Sequence, residues 1–268
     1  MQSINTGGEL LSLDEPVVMG VINVTPDSFY ALSRKTSEGE ILKTAEAMLQ
    51  NGAAIIDIGG YSSRPGAIDI AEGEEIKRVI PAIKSIKTSF PAAFISIDTF
   101  RQTVAEKALE AGAGMINDIT GRMSPAFLAK QQVPYVCMHM RGTPGNMQQM
   151  VNYNDLISEI TTFLYNRVQT LQEHGVNDII VDPGFGFAKT MEQNYALLNS
   201  LQAFALPGRP VLIGISRKSF IYKKLGISPE EALAPTLALY KNCIKKGVRI
   251  IRTHDVAETV VALKKKEE

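Results

Sequence analysis

The sequence of 268 residues has few of the residues that mark secreted, zinc-binding or nucleic-acid-binding proteins. It contains no tryptophan, three histidines and only two cysteines, Cys137 and Cys243. Two cysteines cannot form a disulfide framework and lack the spacing of a zinc site, so a reducing cytoplasm is the expected setting. The 28 basic and 28 acidic residues cancel, which argues against a general nucleic-acid binder.

Long apolar runs are also missing. None approaches the roughly 18 residues that a membrane helix needs. The first 16 residues show no basic segment followed by an apolar one, so no secretory signal is expected. Hydrophobic residues nevertheless make up 45% of the chain, enough for a sizeable core. We therefore expect one globular domain over residues 1–268 that binds neither nucleic acid nor membrane.

Short apolar runs alternate with amphipathic segments along the whole chain. The runs predict strands at Val17–Asn23, Ala54–Ile58, Phe94–Asp98, Met115–Asp118, Tyr135–His139, Ile179–Asp182, Val211–Ile215 and Ile250–His254. The segments between them predict helices at Glu38–Asn51, Glu72–Thr88, Arg101–Ala111, Asn154–Glu173, Thr190–Gln202, Pro229–Lys246 and Asp255–Lys264.

Eight strand–helix units in about 250 residues fit a closed (β/α)₈ TIM barrel. A doubly wound open sheet is the alternative, but its glycine fingerprint is missing from the first unit. Residues Glu9–Pro16 precede the first predicted barrel strand. They predict a short hairpin that closes the bottom of the barrel.

The C-terminal ends of the predicted strands are polar. Active sites of barrels lie at that end, so these residues are expected to surround one mouth. They are Asn23, Asp57, Asp98, Asn117, Asp118, His139, Asp182, Ser216, Arg252 and His254. Each of them alone would also fit a helix cap or a strand-end hydrogen bond, and we favour that interpretation for Asp57 and Asp118. A ring of such residues predicts a polar ligand.

Two loops predict a phosphate group in that ligand. Gly214–Ser219 passes from the seventh predicted strand into a helix, and Ile250–Asp255 does the same at the eighth. Barrel phosphate sites often lie at these loops, where N–H groups of helix N-termini face an anion. Arg252 and His254 are two residues apart on a predicted strand and should point to the same side. Arg217 would add positive charge.

The remaining polar residues indicate a flat, nitrogen-rich ring. Asp98 and Asn117 lie at neighbouring strand ends, and Asp182 is expected across the mouth. Carboxylate and amide groups recognise ring N–H donors, and leaving such a group unpaired is costly, which gives selectivity. Lys218 is long enough to reach a ring carbonyl group, and Phe187 is able to stack on the ring.

Two loops without clear periodicity, residues 24–37 and 59–66, flank the predicted mouth. Loops of this length in a compact domain are usually functional, and these two are expected to close over a ligand and exclude water.

Eight segments, in order along nearly the whole chain, resemble the dihydropteroate synthase family of folate biosynthesis. They are Met19–Phe29, Asp57–Ala67, Ile97–Arg101, Ile116–Gly121, His139–Pro144, Val181–Phe187, Ser216–Ser219 and Arg252–Asp255. The resemblance implies a (β/α)₈ barrel transferase. Such an enzyme joins 6-hydroxymethyl-7,8-dihydropterin diphosphate to p-aminobenzoate, giving 7,8-dihydropteroate and diphosphate.

The resemblance also implies a role for each matching residue. The pterin would be bound by Asp98, Asn117, Met138, Asp182, Phe187, Gly214 and Lys218. The diphosphate would be bound by Arg64, Arg252, His254 and, through Mg²⁺, Asn23. The p-aminobenzoate site, where sulfonamides compete, would be bordered by Phe29, Ser63, Pro65, Phe187 and Ser216. Catalysis would rest on Asp98, Lys218 and Arg252, and the protein would be a cytoplasmic homodimer.

Some positions depart from the family pattern. Tyr30 and its successors replace Ser-Asp-Gly-Gly in the first loop, and Tyr61 and Ser63 replace Glu and Thr in the second. Arg122, rather than a second glycine, follows Gly121. Two alternatives therefore stay open: a pterin-binding methyltransferase acting on a methyl-tetrahydrofolate, and a catalytically silent pterin-binding paralogue.

Overall fold

The structure is a computed structural model that describes residues 2–25, 34–63 and 68–264. Eight parallel strands in it form a closed barrel. The barrel strands are β3 (Val17–Asn23), β4 (Ile55–Gly59), β5 (Ile95–Asp98), β6 (Met115–Asp118), β7 (Tyr135–Met138), β8 (Ile179–Asp182), β9 (Val211–Ile213) and β10 (Val248–Thr253). Each strand pairs with the next, and β10 pairs with β3. The closed order confirms the predicted (β/α)₈ barrel and excludes the open sheet.

Helices connect the strands around the outside of the barrel. They are α1 (Arg34–Gln50), α2 (Glu72–Ser89), α3 (Gln102–Glu110), α4 (Pro125–Gln131), α5 (Leu156–Glu173), α6 (Met191–Asn199), α7 (Ser219–Leu225), α8 (Leu233–Lys245) and α9 (Val256–Lys264). Among the helices of this described part, none is both long and apolar enough to cross a membrane.

Sequence patterns missed one helix and misjudged two. Helix α4 has only seven residues, too few to show periodicity, although Ser124 caps it by accepting the Phe127 N–H at 3.4 Å, and Pro125 opens it. The predicted helix at 190–202 is interrupted after Asn199, where a 3₁₀ turn begins at Leu201. The predicted helix at 229–246 consists of a 3₁₀ turn followed by α8.

The barrel strands are apolar on both faces because both faces are buried. Side chains on the outer face, such as Ile56 and Ile58, pack in the large core that includes apolar residues of the surrounding helices. Side chains on the inner face fill the lower barrel with Met19, Ile55, Met115, Val136, Ile180, Leu212 and Ile250. The lower barrel is therefore filled, and the C-terminal ends of the strands form its mouth, where active sites of barrels lie.

A two-stranded hairpin closes the bottom of the barrel, as predicted. It pairs β1 (Ser3–Asn5) with β2 (Leu10–Ser12), so it begins earlier than the predicted segment at Glu9. Ile4, in β1, and Leu13, just after β2, belong to the same buried cluster as the inner side chains of the barrel. The hairpin thus completes the core at the end opposite the mouth.

Candidate active site

Arg252 on β10 lies between two carboxylates. Its Nε donates to Asp57 Oδ2 at 2.7 Å, and its Nη2 donates to Asp98 Oδ2 at 2.6 Å. Asn117 Nδ2 donates to the same Asp57 oxygen at 3.0 Å. Asp57 therefore joins Asn117 to Arg252, and Arg252 in turn binds Asp98, so three residues predicted for the site belong to one hydrogen-bonded group.

Strand register explains why residues so far apart in sequence meet. Asn23 is aligned with Gly59, Gly59 with Asp98, and Asp98 with Asn117, across the four neighbouring strands β3 to β6. Gly59 has no side chain in this row. A Cβ atom there would lie 3.5 Å from both Asn23 Oδ1 and Asp98 Oδ2. Glycine thus leaves a space between two side-chain oxygens.

The environment of Asp98 favours its neutral form. Burial raises the pKa of Asp98 to about 7, while the Arg252 guanidinium opposes this shift and the Asp57 carboxylate adds to it. A carboxyl group at this pKa changes charge near neutral pH, which is typical of active sites.

Lys218 and Asp182 occupy another side of the mouth. Asp182 ends β8 and accepts the Gly184 N–H at 2.7 Å, and burial raises its pKa. Burial lowers the pKa of Lys218 to about 8, opposed by Asp182, and the charges of Arg252 and Asp98 also act on Lys218. The structure therefore places the predicted catalytic residues Asp98, Lys218 and Arg252 in one neighbourhood.

The loop after β8 brings an aromatic ring to Lys218. Lys218 Nζ donates to the Phe185 carbonyl oxygen and lies 4.6 Å from the centre of the Phe187 ring. Gly186 has φ +81°, and a Cβ there would approach Lys218 Cδ to 3.1 Å, so glycine permits this close contact.

Lys189 binds the same loop from the interior of the protein. The sequence did not predict this role. It is buried, and its Nζ donates to the carbonyl oxygens of Gly184 and Phe187, both at 2.9 Å. Its third neighbour is His139 Nδ1 at 3.2 Å. His139, which was predicted to face the mouth, is also buried, and burial lowers its pKa to about 2. The only sign of this role in the sequence is that Lys189 closely follows Gly184 and Gly186.

An apolar cluster forms one part of the mouth. It contains two predicted pterin contacts, Met138 and Phe187. The other members are Phe100, Ile119, Met140, Met147 and Ala188. Gly214, also predicted to line the pterin, lies beside Arg252, since a Cβ on it would be 3.7 Å from the arginine Cβ.

Ser216 links the loops after β9 and β10. Its hydroxyl accepts the His254 N–H at 3.3 Å and also the Thr253 hydroxyl at 3.3 Å. His254 is exposed and lies one residue beyond the end of β10. The predicted strand therefore ran one residue too far, and the prediction that His254 shares a side with Arg252 stays a prediction.

Arg217 does not supply free positive charge to the mouth, contrary to our expectation. Its Nε and Nη2 donate to the two carboxylate oxygens of Asp255 at 2.9 and 2.8 Å. The prediction failed because the partner lies 38 residues away in sequence, on the following loop.

The two aspartates interpreted as strand-end residues differ. Asp118 has the structural role that we favoured, because it accepts the N–H groups of Thr120 and Met123 and the Tyr135 hydroxyl at 2.7–3.0 Å. Asp57 makes hydrogen bonds as well, but to the side chains of Asn117 and Arg252, which were both predicted for the site.

The remaining predicted residues lie at loop and strand ends or outside the described residues. Ser63 and Asn23 are half-buried at loop and strand ends. Phe29, Arg64 and Pro65 fall outside the described residues. Within the ranges that are described, no group of three or more His, Cys, Asp or Glu residues is arranged to hold a metal ion.

This barrel and its mouth match a known family. Residues 19–254 match the model of the pterin binding enzymes. The chain belongs to this family.

Relatives of this chain within the family include dihydropteroate synthases. The chain is 39% identical over 262 residues to the dihydropteroate synthase of Escherichia coli K12, covering 96% of this chain and 93% of that protein. A structure of the Yersinia pestis dihydropteroate synthase with a sulfonamide drug complex superposes with a TM-score of 0.90, at 38% identity, over 98% of this chain and 97% of that one.

The Xanthomonas albilineans dihydropteroate synthase has also been solved in complex with 7,8-dihydropteroate. That structure superposes with a TM-score of 0.86, at 36% identity, and the match covers 97% of this chain and 96% of that one. The same enzyme with 4-aminobenzoic acid gives a TM-score of 0.88, at 37% identity, over 97% and 95%.

Proposed function

We propose that this chain condenses 6-hydroxymethyl-7,8-dihydropterin diphosphate with p-aminobenzoate to give 7,8-dihydropteroate and diphosphate in folate biosynthesis. The observation that carries the proposal is the Arg252 guanidinium held between Asp57 and Asp98 in a mouth shared with Lys218. The names of the relatives support the same reaction.

The polar groups of the mouth would bind and orient the pterin. Asp98, Asn117 and Asp182 offer acceptors and a donor for the ring nitrogens, and Lys218 offers a donor for the ring carbonyl. Phe187 and Met138 offer apolar surface to the ring faces. Serving both polar edges and apolar faces is what a flat heterocycle requires.

In the proposed reaction, the bond between the pterin methylene carbon and the diphosphate oxygen breaks, and its electron pair leaves on the oxygen. Arg252 would stabilise the charge that develops there. The cation on the methylene is delocalised into the ring, and the ionised Asp98 would stabilise it. The arylamine nitrogen then forms the new carbon–nitrogen bond and releases a proton to solvent. We infer that the loops at 24–37 and 59–66 exclude water from the cation.

We infer that magnesium would bind beside Asn23. The amide oxygen of Asn23 and Asp98 Oδ2 border the gap above Gly59, and Mg²⁺ in phosphate sites prefers one or two protein oxygens plus phosphate oxygens. Asn23 would hold the ion, and His254 and Arg64 would bind diphosphate directly. When bound, Mg²⁺ would neutralise charge on the leaving diphosphate.

We also propose that the protein is a cytoplasmic homodimer. Its two buried cysteines are both free thiols, which suits a reducing compartment. Helices α8 and α9 present a surface groove lined by small and apolar side chains, including Leu237, Ala238 and the exposed Val261. A sedimentation mass of about twice that of the 29.2 kDa chain is the expected result.

A turnover assay tests the proposed function. The purified chain is given pterin diphosphate, p-aminobenzoate and Mg²⁺, and formation of dihydropteroate and diphosphate is measured. Calorimetry with pterin diphosphate, with and without Mg²⁺, runs in parallel. Turnover supports the proposal. Binding without turnover favours the silent paralogue, and methyl transfer from a methyl-tetrahydrofolate favours the methyltransferase.

A further inference from the structure

Asp57 is a fully buried carboxylate in the middle of β4, beneath the predicted ligand residues. One oxygen, Oδ2, accepts both the Arg252 Nε–H and an Asn117 Nδ2–H. The other oxygen, Oδ1, has no hydrogen-bond partner among the described residues. The hydroxyl of Ser96, its register partner on β5, also lacks one there.

Stability alone does not account for this arrangement. A buried carboxylate with an unpaired oxygen is expensive, and an apolar side chain of similar volume is often as stable or more so. The one oxygen of Asp57 that is paired serves only residues of the mouth. The contacts of Asp57 therefore indicate a role exerted through Arg252 and Asn117.

The geometry at Arg252 shows what that role is. A guanidinium group is planar, and Asp57 and Asp98 grip it at two different nitrogens from adjacent strands. Two anchors fix both the position and the orientation of the plane. With Asp98 as the remaining anchor, the guanidinium would pivot at the end of its flexible stem.

We propose that Asp57 is a positioning residue for the transfer reaction, which fixes Arg252 through Nε and Asn117 through Nδ2 so that both meet Asp98 and the pterin correctly. This inference rests on the proposed function. Because Asp57 is fully buried and its described partners are Arg252 and Asn117, its removal should impair the chemical step and leave the arylamine site unchanged.

The test compares Asp57→Asn, which keeps the shape and removes the charge, with Ser96→Ala. Ser96 is the register partner of Asp57, and among the described residues its hydroxyl makes no hydrogen bond that alanine would lose. We expect Asp57→Asn to lower kcat about 10- to 100-fold, with KM for p-aminobenzoate within about 2-fold of wild type. Ser96→Ala should keep kcat within about 2-fold. Equal kcat values for the two variants would overturn the inference.

A double-mutant cycle tests whether Asp57 acts through Arg252. In an Arg252→Met background there is no guanidinium to position, so adding Asp57→Asn should lower kcat by less than about 3-fold. If the two losses multiply in full, Asp57 acts independently of Arg252, and the proposal that it positions Arg252 is wrong.

Nuclear magnetic resonance of the wild-type protein tests whether Asp57 anchors Arg252, even if Asp57→Asn does not fold. The Arg252 Nε–H signal, assigned by its loss in Arg252→Lys, should exchange with solvent at least about 10-fold more slowly than that of Arg249. Equal exchange rates would contradict the Asp57 anchor. An inactive wild-type protein would refute the proposed function, whereas equal exchange rates in an active protein would refute only the anchoring of Arg252 by Asp57.

Discussion

At the residue scale, Asp98 is the side chain whose charge matters most to the proposed chemistry. Burial raises its pKa to about 7, and Arg252 at 2.6 Å works against the shift. Because the folded-state pKa lies above the ordinary value of 3.8, ionisation of Asp98 costs folding stability as the pH rises from about 4 through 7. Above that range Asp98 is ionised, as it must be to stabilise the cation on the pterin methylene.

Activity should follow this ionisation. We expect kcat/KM of the wild-type protein to fall as the pH drops below about 7, because protonated Asp98 no longer stabilises a cation. Asp98→Asn should lower kcat by about 10²- to 10³-fold, with a smaller effect on pterin binding. Its residual activity should lack the acid limb of the pH profile. Steady-state kinetics from pH 5 to pH 9 measures both, and an unchanged acid limb in Asp98→Asn would assign that limb to another group.

At the scale of elements, the loop between β8 and α6 is shaped by two lysines. Lys218 contacts it from the mouth, and Lys189 contacts it from the interior. Burial lowers the pKa of Lys189 to about 7. The unfolded chain therefore binds this proton more tightly between about pH 7 and 10.5, so this group makes the fold more stable as the pH rises across that window.

Lys189→Met should remove the brace and its pH dependence together. The carbonyl oxygens of Gly184 and Phe187 lose a buried donor, at about 1–3 kcal/mol each, so the variant is less stable. The difference from wild type should grow by about 1–2 kcal/mol between pH 7 and pH 9. KM for the pterin should rise because Phe187 is less well held. Denaturant unfolding at both pH values, with kinetics, provides the measurement.

Lys246→Met is the matched control, since that half-buried lysine also donates to carbonyl oxygens, of Leu198 and Asn199, but far from the mouth. A stability difference for Lys189→Met that stays constant with pH would show that Lys189 is charged throughout this range.

At the scale of the whole molecule, the two ends of the barrel have separate tasks. The lower end holds an apolar core that the hairpin completes with Ile4 and Leu13. The upper end holds buried charges that cost stability. Burial of apolar side chains at the lower end thus offsets the stability that is lost by burying charges at the upper end.

Removing the hairpin's contact should affect stability and spare activity. Ile4→Ala is expected to lower the free energy of unfolding by about 2–4 kcal/mol, because it empties part of a closed core. Leu10→Ala, in the same hairpin but 74% exposed, should change the unfolding free energy by less than about 0.5 kcal/mol. Both variants should keep wild-type kcat at 25 °C. A large loss of kcat in folded Ile4→Ala would show that the two ends are coupled.

The sequence by itself determined the architecture. The eight apolar runs and the helices between them follow from local periodicity, and strand limits were correct to within one or two residues at most positions. The polar strand ends also predicted which end of the barrel is functional, because parallel strands bring their C-terminal ends together. Short α4 was missed since seven residues give too little periodicity.

Only the tertiary structure decided which charged side chains pair with each other. Asp57 and Asp118 look alike in sequence, yet one binds Arg252 from 195 residues away and the other serves its own loop. Arg217 and Arg252 look equally suited to an anion, yet Arg217 is paired with Asp255. Local patterns fix hydrophobic periodicity, whereas ion pairs and burial depend on the register of strands that are distant in the chain. Charge states, and hence chemistry, are therefore set when the barrel closes.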